Sequence, residues 1–189
     1  MAIDIESMLA DAMLVLCKTK HIKRIAISNL IEMTGVSRQT FYNHFKDKQD
    51  LIQWIYDNRI LGDFRNIKPE NDYYKISLDY YRHIAEYHYF LKQVCYMSCQ
   101  NSLLDHMVEY ALNYDQKWCQ LHYGTDIPPN LKLAIRYHSI GTIYAAIDWI
   151  KNDMPQKPEE IARQIALMRQ VNFSQYVFGS EELFQCEVT

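Results

Sequence analysis

Residues 28–51, SNLIEMTGVSRQTFYNHFKDKQDL, constrain this chain more than any other stretch. Two short amphipathic segments flank Gly35. Leu30 and Ile31 give the first segment an apolar side. Gly35 interrupts the helical pattern and can take the positive φ that a tight turn needs. Ser37 follows the apolar Val36 and is a good N-cap for the second segment. Phe41 and Phe45, one helical turn apart, face one side of a helix, while Gln39, Tyr42 and Asn43 point the other way. One edge is built for burial and the other carries hydrogen-bonding side chains. A helix that lies in a DNA major groove needs that division. Short helix pairs around a glycine also occur in helical proteins that never touch DNA, and an F-x-x-x-F pair is common in plain cores. The order of these features and their place near the N-terminus favour the DNA reading.

Charge is distributed in the same sense. Between Lys18 and Lys48 seven basic residues face two acidic ones, a local +5 that leaves −8 for the rest of a chain of net charge −3. A basic patch on an acidic chain attracts phosphates locally and limits nonspecific sticking elsewhere.

The run G-V-S-R-Q-T-F-Y-N-H-F-K-D-K-Q-D-L (35–51) resembles the helix-turn-helix signature of the TetR family of bacterial transcriptional regulators. The close of the motif, F-Y-N-H-F-K-D-K followed by an acidic residue and Leu, is more specific than a generic helix-turn-helix. The resemblance implies an all-α protein. It would have an N-terminal three-helix DNA-binding domain over residues 1–48 and a helical regulatory and dimerisation domain over 49–189. It also implies a homodimer on a double-stranded DNA operator, controlled by a small-molecule effector. Alternatives are control by a protein partner or, from another class, a helical metal- or thiol-dependent enzyme. Arg38 and Gln39 open the recognition helix and are the candidates for base edges. Tyr42, Asn43 and His44 would position that helix on the DNA backbone, with Thr40 between the two roles and Ser37 at the cap. Lys48 stands where the family has a phosphate-contacting lysine at the start of the fourth helix. The family usually has Ser or Thr where this chain has Ala26, so Ser28 is the candidate for part of that contact.

The remaining chain reads as helical. With 189 residues, 49% of them hydrophobic, and only 5 Gly and 5 Pro, it can bury a large core with few turns. Helical stripes are expected over 4–19, from Asp47 to about 65, over 73–87, 89–99, 102–123, 131–150, and after Pro158 through Ile161, Ile165, Met168 and Val171. Residues 66–72 read as a linker. The helix over 131–150 is apolar on most of its circumference, which implies burial on all sides. Its segment G-T-I-Y-A-A-I-D-W-I also resembles a branch that includes regulators of dihydroxyacetone-kinase operons. By resemblance the last two helices would form a four-helix dimer interface, with Gly141, Ala145 and Ala146 permitting close approach; equally, they could simply close the monomer's core.

Fifteen tyrosines invite a ligand site in the C-terminal part. Tyr80, Tyr87, Tyr96, Tyr110, Tyr114, Tyr137 and Tyr144 are the pocket candidates, since tyrosines give apolar walls with hydroxyls to orient a ligand. An aromatic core would use the same residues. No phosphate-cradling Gly-rich loop and no nucleophile elbow occurs, so no catalytic residues and no cofactor are assigned. Cys95 with Cys99, and Cys119 with His122, have helical ligand spacing, but without a dense C-x-x-C set no metal is assigned. Five cysteines in no disulfide pattern, no membrane-length apolar run and an acidic start suggest a cytoplasmic protein with reduced thiols.

Overall fold

Asp4 starts the first helix: its carboxylate accepts a hydrogen bond from the Ser7 N–H at 3.0 Å. The computed structural model describes residues 4–66, 68, 72–97, 103–124 and 126–178. Every regular element among the described residues is helical. Helix α1 (Ile5–Cys17) buries Leu9 and Met13. A 3-10 turn at Ile22–Arg24 leads to α2 (Ile27–Thr34). Ala26, at the cap of α2, has no side chain to accept a bond. Asn29 works in reverse, its amide oxygen accepting from the Ala26 N–H at 3.0 Å and from Lys20 Nζ at 2.8 Å.

Gly35 ends α2 with φ 76°, and its N–H donates to Ile31 O at 2.8 Å. A Cβ there would meet nothing within 4 Å, so the requirement is conformational and not steric crowding. Gly35→Val should therefore cost at least about 1 kcal/mol. Thermal denaturation checks this, and an unchanged melting temperature would contradict the turn's demand for glycine. Ser37 then caps α3 (Arg38–His44), accepting from the Thr40 N–H at 2.9 Å. Asp47 caps α4 (Lys48–Ile55) in the same way, accepting from the Asp50 N–H at 2.9 Å.

Helix α4 does not continue regularly to residue 65 as the sequence suggests. It widens into a π segment at Tyr56–Ile60 and tightens into a 3-10 turn at Gly62–Arg65. The reason lies in its neighbours. The Tyr56 and Tyr80 hydroxyls lie 2.8 Å apart, and Asp57 meets His106 Nε2 at 2.8 Å. The Ile60 carbonyl lies 3.2 Å from His83 Nδ1. Gly62 takes φ 55°, and the His83 ring stands 3.1 Å from where a Cβ would be. These contacts hold the backbone in a register that an ideal helix would not meet.

Five helices follow: α5 (Tyr73–Glu86), α6 (His88–Cys95), α7 (Leu103–Tyr123), α8 (Pro129–Lys151) and α9 (Pro158–Phe178). Asp72 caps α5, and prolines occupy the first turns of α8 and α9 as their φ favours. Helix α5 packs on α9, and α7 on α8. One core runs from Leu9 and Met13 through Leu51 and Ile55 to Tyr81, Phe90 and Ile150. It is continuous across residues 48 and 49, where the sequence reading divides the chain.

Two expectations about α8 and α9 need correction. Helix α8 is not buried on all sides: Leu133, Tyr137 and Tyr144 are 69%, 73% and 55% exposed. They share one outward stripe, while Ile135, Ile143 and Ile150 face the core. On α9, Ile161 and Ile165 are buried as expected, but Met168 is 61% exposed beside Leu167 at 55%. Ser102, Cys99, the tail after 178, and the side chains of His122 and Val171 lie outside the described residues.

Candidate functional site

Helix α3 is anchored by its two phenylalanines. Phe41 and Phe45 are buried with ring centroids 5.8 Å apart, and Phe45 meets Trp54 edge-on at 6.2 Å. That leaves Arg38, Gln39, Tyr42, Asn43 and His44 exposed, with Ser37 and Ser28 also in solvent. The Arg38 guanidinium lies 5.9 Å over the Tyr42 ring. His44 Nδ1 is 3.5 Å from Glu6 of α1. Thr40 is half-buried, its hydroxyl 2.8 Å from that of Ser37, so these two residues build the helix start.

Lys48 has a job that its sequence context does not announce. Its ammonium donates to the Ile22 carbonyl at 3.0 Å and the Ile25 carbonyl at 2.9 Å. It thus ties the start of α4 to the turn before α2. Lys48→Ala should cost about 1–2 kcal/mol of stability as well as DNA affinity, because it takes the ammonium donor from two half-buried carbonyls, of which that of Ile22 keeps the Ile25 N–H at 3.1 Å. A melting temperature equal to wild type, with only the salt dependence of DNA binding altered, would contradict this tie.

The second feature is a cavity of about 40 Å³ between the π segment and α5, α7, α8 and α9. Of the seven tyrosine candidates, Tyr80, Tyr110 and Tyr114 line it. Tyr87, Tyr96, Tyr137 and Tyr144 do not. Tyr96, Tyr137 and Tyr144 are more than half exposed, and Tyr87 lies at the end of α5, away from the cavity wall. Tyr56, Tyr73 and Tyr81 complete the aromatic wall. Burial pushes the Tyr56, Tyr73, Tyr80 and Tyr81 hydroxyls well above their ordinary range, so the wall stays uncharged.

Beside the cavity sits a buried ion pair. Asp115 accepts from Arg169 on one oxygen and from the Ser139 hydroxyl on the other at 2.7 Å. The Arg169 guanidinium is enclosed by Tyr73, Trp118 and Phe173, 4.1, 4.6 and 4.6 Å from their ring centroids. His138 packs on Phe173 at 5.2 Å. Burial above all, with the Arg169 charge adding to it, lowers His138 to about 4 from the ordinary 6.5, against the pull of Asp115. A histidine depressed in the fold contributes stability that is complete above pH 6.5. That stability is lost as pH falls toward 4, up to about 3 kcal/mol. His106 works in the opposite direction: its bond to Asp57 raises it, so its contribution is present below 6.5 and fades as pH rises. Denaturant unfolding at pH 7 and pH 5 should show a decline that His138→Gln removes.

Two links join the helix-turn-helix face to the cavity half. Gln93 on α6 accepts from the Ile22 N–H at 2.7 Å and donates to the Cys17 carbonyl at 2.9 Å, clamping the end of α1. Asp57 and His106 join the π segment to α7. Neither link has a local sequence signal, since the partners lie far apart in the chain. Burial pushes the Cys17 thiol up to about 12 and Cys95 and Cys119 up to about 11, away from thiolate chemistry. Among the described residues no cluster of three or more His, Cys, Asp or Glu is placed to hold a metal, and no helix is long and apolar enough to cross a membrane.

Comparison with known proteins agrees with this architecture. A solved structure of a dihydroxyacetone kinase operon activator, DhaS, superposes with a TM-score of 0.71 at 17% identity, covering 92% of this chain and 98% of that one. A putative TetR-family regulator from Syntrophomonas wolfei str. Goettingen gives 0.56 at 14% identity, covering 88% and 94%. Among curated proteins, the HTH-type dhaKLM operon transcriptional activator DhaS of Lactococcus lactis subsp. lactis (strain IL1403) is 31% identical over 70 residues. That match covers 36% of this chain and 35% of the relative, so it spans about a third of the relative's length. Residues 71–170, more than half of the chain, match the TetR_C_8 family, a transcriptional regulator C-terminal region. With the recognition-helix motif ahead of that region, the chain belongs to the TetR family of transcriptional regulators.

Proposed function

We propose that this regulator binds a two-fold symmetric DNA operator as a homodimer, and that occupancy of the tyrosine cavity controls that binding. The observation that carries the DNA part is α3 itself: two buried phenylalanines fix a helix whose outer edge is Arg38, Gln39, Tyr42 and Asn43. Arg38 and Gln39 at its start read bases, Arg by donating twice to guanine and Gln by pairing with adenine. Tyr42, Asn43, His44 and Ser28 hold the phosphate backbone, and Lys48 adds positive charge to that contact. The uncovered apolar stripe of α8, with Leu167 and Met168 of α9, is the surface on which the second copy packs.

The position of the cavity supports effector control. Tyr56, Leu61 and Phe64, all from the irregular continuation of α4, form part of its wall. A molecule that displaces them changes how α4 sits on the core, and with it the spacing of two recognition helices that must match half-sites about 34–36 Å apart. One DhaS relative is named an activator of a dihydroxyacetone kinase operon and the other an activator of the dhaKLM operon, so DNA upstream of such an operon is the first operator to test. The experiment is a gel shift with that DNA, and with the DNA upstream of this gene, with and without small-molecule candidates. Binding to one of them at nanomolar protein, changed by a compound that fails to act when the cavity is altered, is the expected result. Equal binding to any DNA would overturn operator recognition.

A further inference from the structure

We propose that Gln93 is a positioning residue for operator binding: its grip on the end of α1 and on the turn before α2 sets how the helix-turn-helix half stands on the core, and through that which half-site spacing the protein accepts. This rests on the homodimer reading above and adds what fixes its geometry. Helix α6 has two faces. Phe90, Leu91 and Val94 are buried in the core, and the helix packs on α5, α7 and α8. Tyr89 and Gln93, one turn apart, reach the other way. Lys18 Nζ stands 5.6 Å over the Tyr89 ring. Gln93 accepts from the Ile22 N–H at 2.7 Å and donates to the Cys17 carbonyl at 2.9 Å. An amide matched to one donor and one acceptor fits in one orientation, since turning it over would set donor against donor and oxygen against oxygen. Cys17 and Ile22 flank the connection that leaves α1, so the clamp fixes the direction of the chain there.

Ile22 is held from a second side. Its carbonyl accepts from Lys48 Nζ at 3.0 Å, and its side chain is fully buried. One residue thus meets α6 through its N–H and α4 through its carbonyl. The Lys48 bonds, with Arg59 donating to Asp11 at 3.1 Å, tie the helix-turn-helix half to α4 and its continuation. Asp57 of that continuation is seated on α7 through His106. Gln93 and Tyr89 tie the same half to α6. A body held by one helix can swivel about it, and a body held by two helices that both sit on the core keeps one angle. Small angles matter because of the pitch of DNA. One base pair of spacing moves a half-site about 3.4 Å along the duplex and about 34° around it. Two rigidly mounted recognition helices meet one such arrangement without deforming the DNA. Each bond of the clamp is of ordinary length, and a bond of ordinary strength enforces a preference of about fivefold.

The test uses the full chain and an operator that wild type selects from a random double-stranded library. Affinities are measured on that operator, on versions with one base pair inserted or deleted between the halves, and on a duplex carrying a single half-site. Gln93→Ala should lower the preference for the best spacing over its neighbours by about five- to thirtyfold, with affinity for the single half-site unchanged. Gln93→Glu keeps the acceptor for Ile22 and loses the donor to Cys17, so its preference should fall between those of wild type and Gln93→Ala. Circular dichroism checks that each variant folds, and Gln93→Glu carries the comparison if Gln93→Ala loses helix content. Ile84→Val, a fully buried change on α5 away from the clamp, should lower thermal stability and leave the spacing preference intact. An unchanged spacing preference in the folded Gln93 variants overturns the assignment and leaves operator recognition standing. So does an equal loss on the single half-site and the full operator, or a loss of spacing preference in Ile84→Val as large as in Gln93→Ala. A wild type that selects no two-fold motif removes the homodimer reading itself, and this assignment with it.

Discussion

Asp115→Ala is expected to lower stability by about 3–5 kcal/mol, a large share of what a domain of this kind possesses. Asp115 and Arg169 are 3% and 4% exposed, so each charge has left water and depends on the other. Removing the carboxylate leaves a guanidinium in an aromatic box with no anion, and leaves the Ser139 hydroxyl its longer bond to the Ala111 carbonyl at 3.4 Å. The three rings around Arg169 offer it their faces, which offsets only part of that cost. The comparison that isolates the cause is the double substitution Asp115→Leu with Arg169→Met. Both charges go together and the volume is kept, so most of the loss should be recovered. Urea unfolding of the three proteins measures it. If Asp115→Ala and the double variant are equally unstable, packing and not the orphaned charge is responsible.

Tyr137→Glu should break the proposed homodimer and reduce operator affinity by about a thousandfold or more, with the monomer still folded. Tyr137 is 73% exposed in the single chain, so the substitution removes no core contact. On the assembled face it would sit within the stripe of Leu133 and Tyr144, where a carboxylate would be desolvated against its symmetry mate. A monomer presents one recognition helix and binds one half-site, losing the second half's contacts and the linkage between them. Sedimentation velocity gives the mass, circular dichroism the helix content, and a gel shift the affinity. A dimer that survives Tyr137→Glu would move the interface elsewhere.

The N-terminal architecture was readable from sequence because its determinants are local. Gly35 makes its turn, Ser37 and Asp47 cap within three residues, and Phe41 and Phe45 lie on one helical face. The irregularity after Ile55 was not readable. Tyr-Asp-Asn-Arg-Ile carries no breaker, and its π geometry is imposed by Tyr80, His83 and His106, which lie more than twenty residues away. The outer face of α8 was misread because apolarity marks what will be buried and does not say by what. Helical phase held the missing clue: Leu133, Tyr137 and Tyr144 recur at heptad-like spacing opposite Ile135 and Ile143. The same phase separates the cavity tyrosines from the outer ones, since Tyr110 and Tyr114 lie one turn apart on the inner face of α7. Lys48 had a basic environment as its only local signal, and its carbonyl partners are distant in sequence.

The proposed reading of DNA sequence by paired α3 helices is tested most directly by selection from a random double-stranded library. Wild type should enrich a two-fold symmetric motif with half-site centres about one helical turn or a multiple apart. The Arg38→Ala variant, run in parallel, should lose about 1–3 kcal/mol on that motif and relax preference at one position in each half, with nonspecific DNA affected far less. A library that emerges without a symmetric motif, or an Arg38→Ala loss that is equal on selected and random DNA, would contradict it.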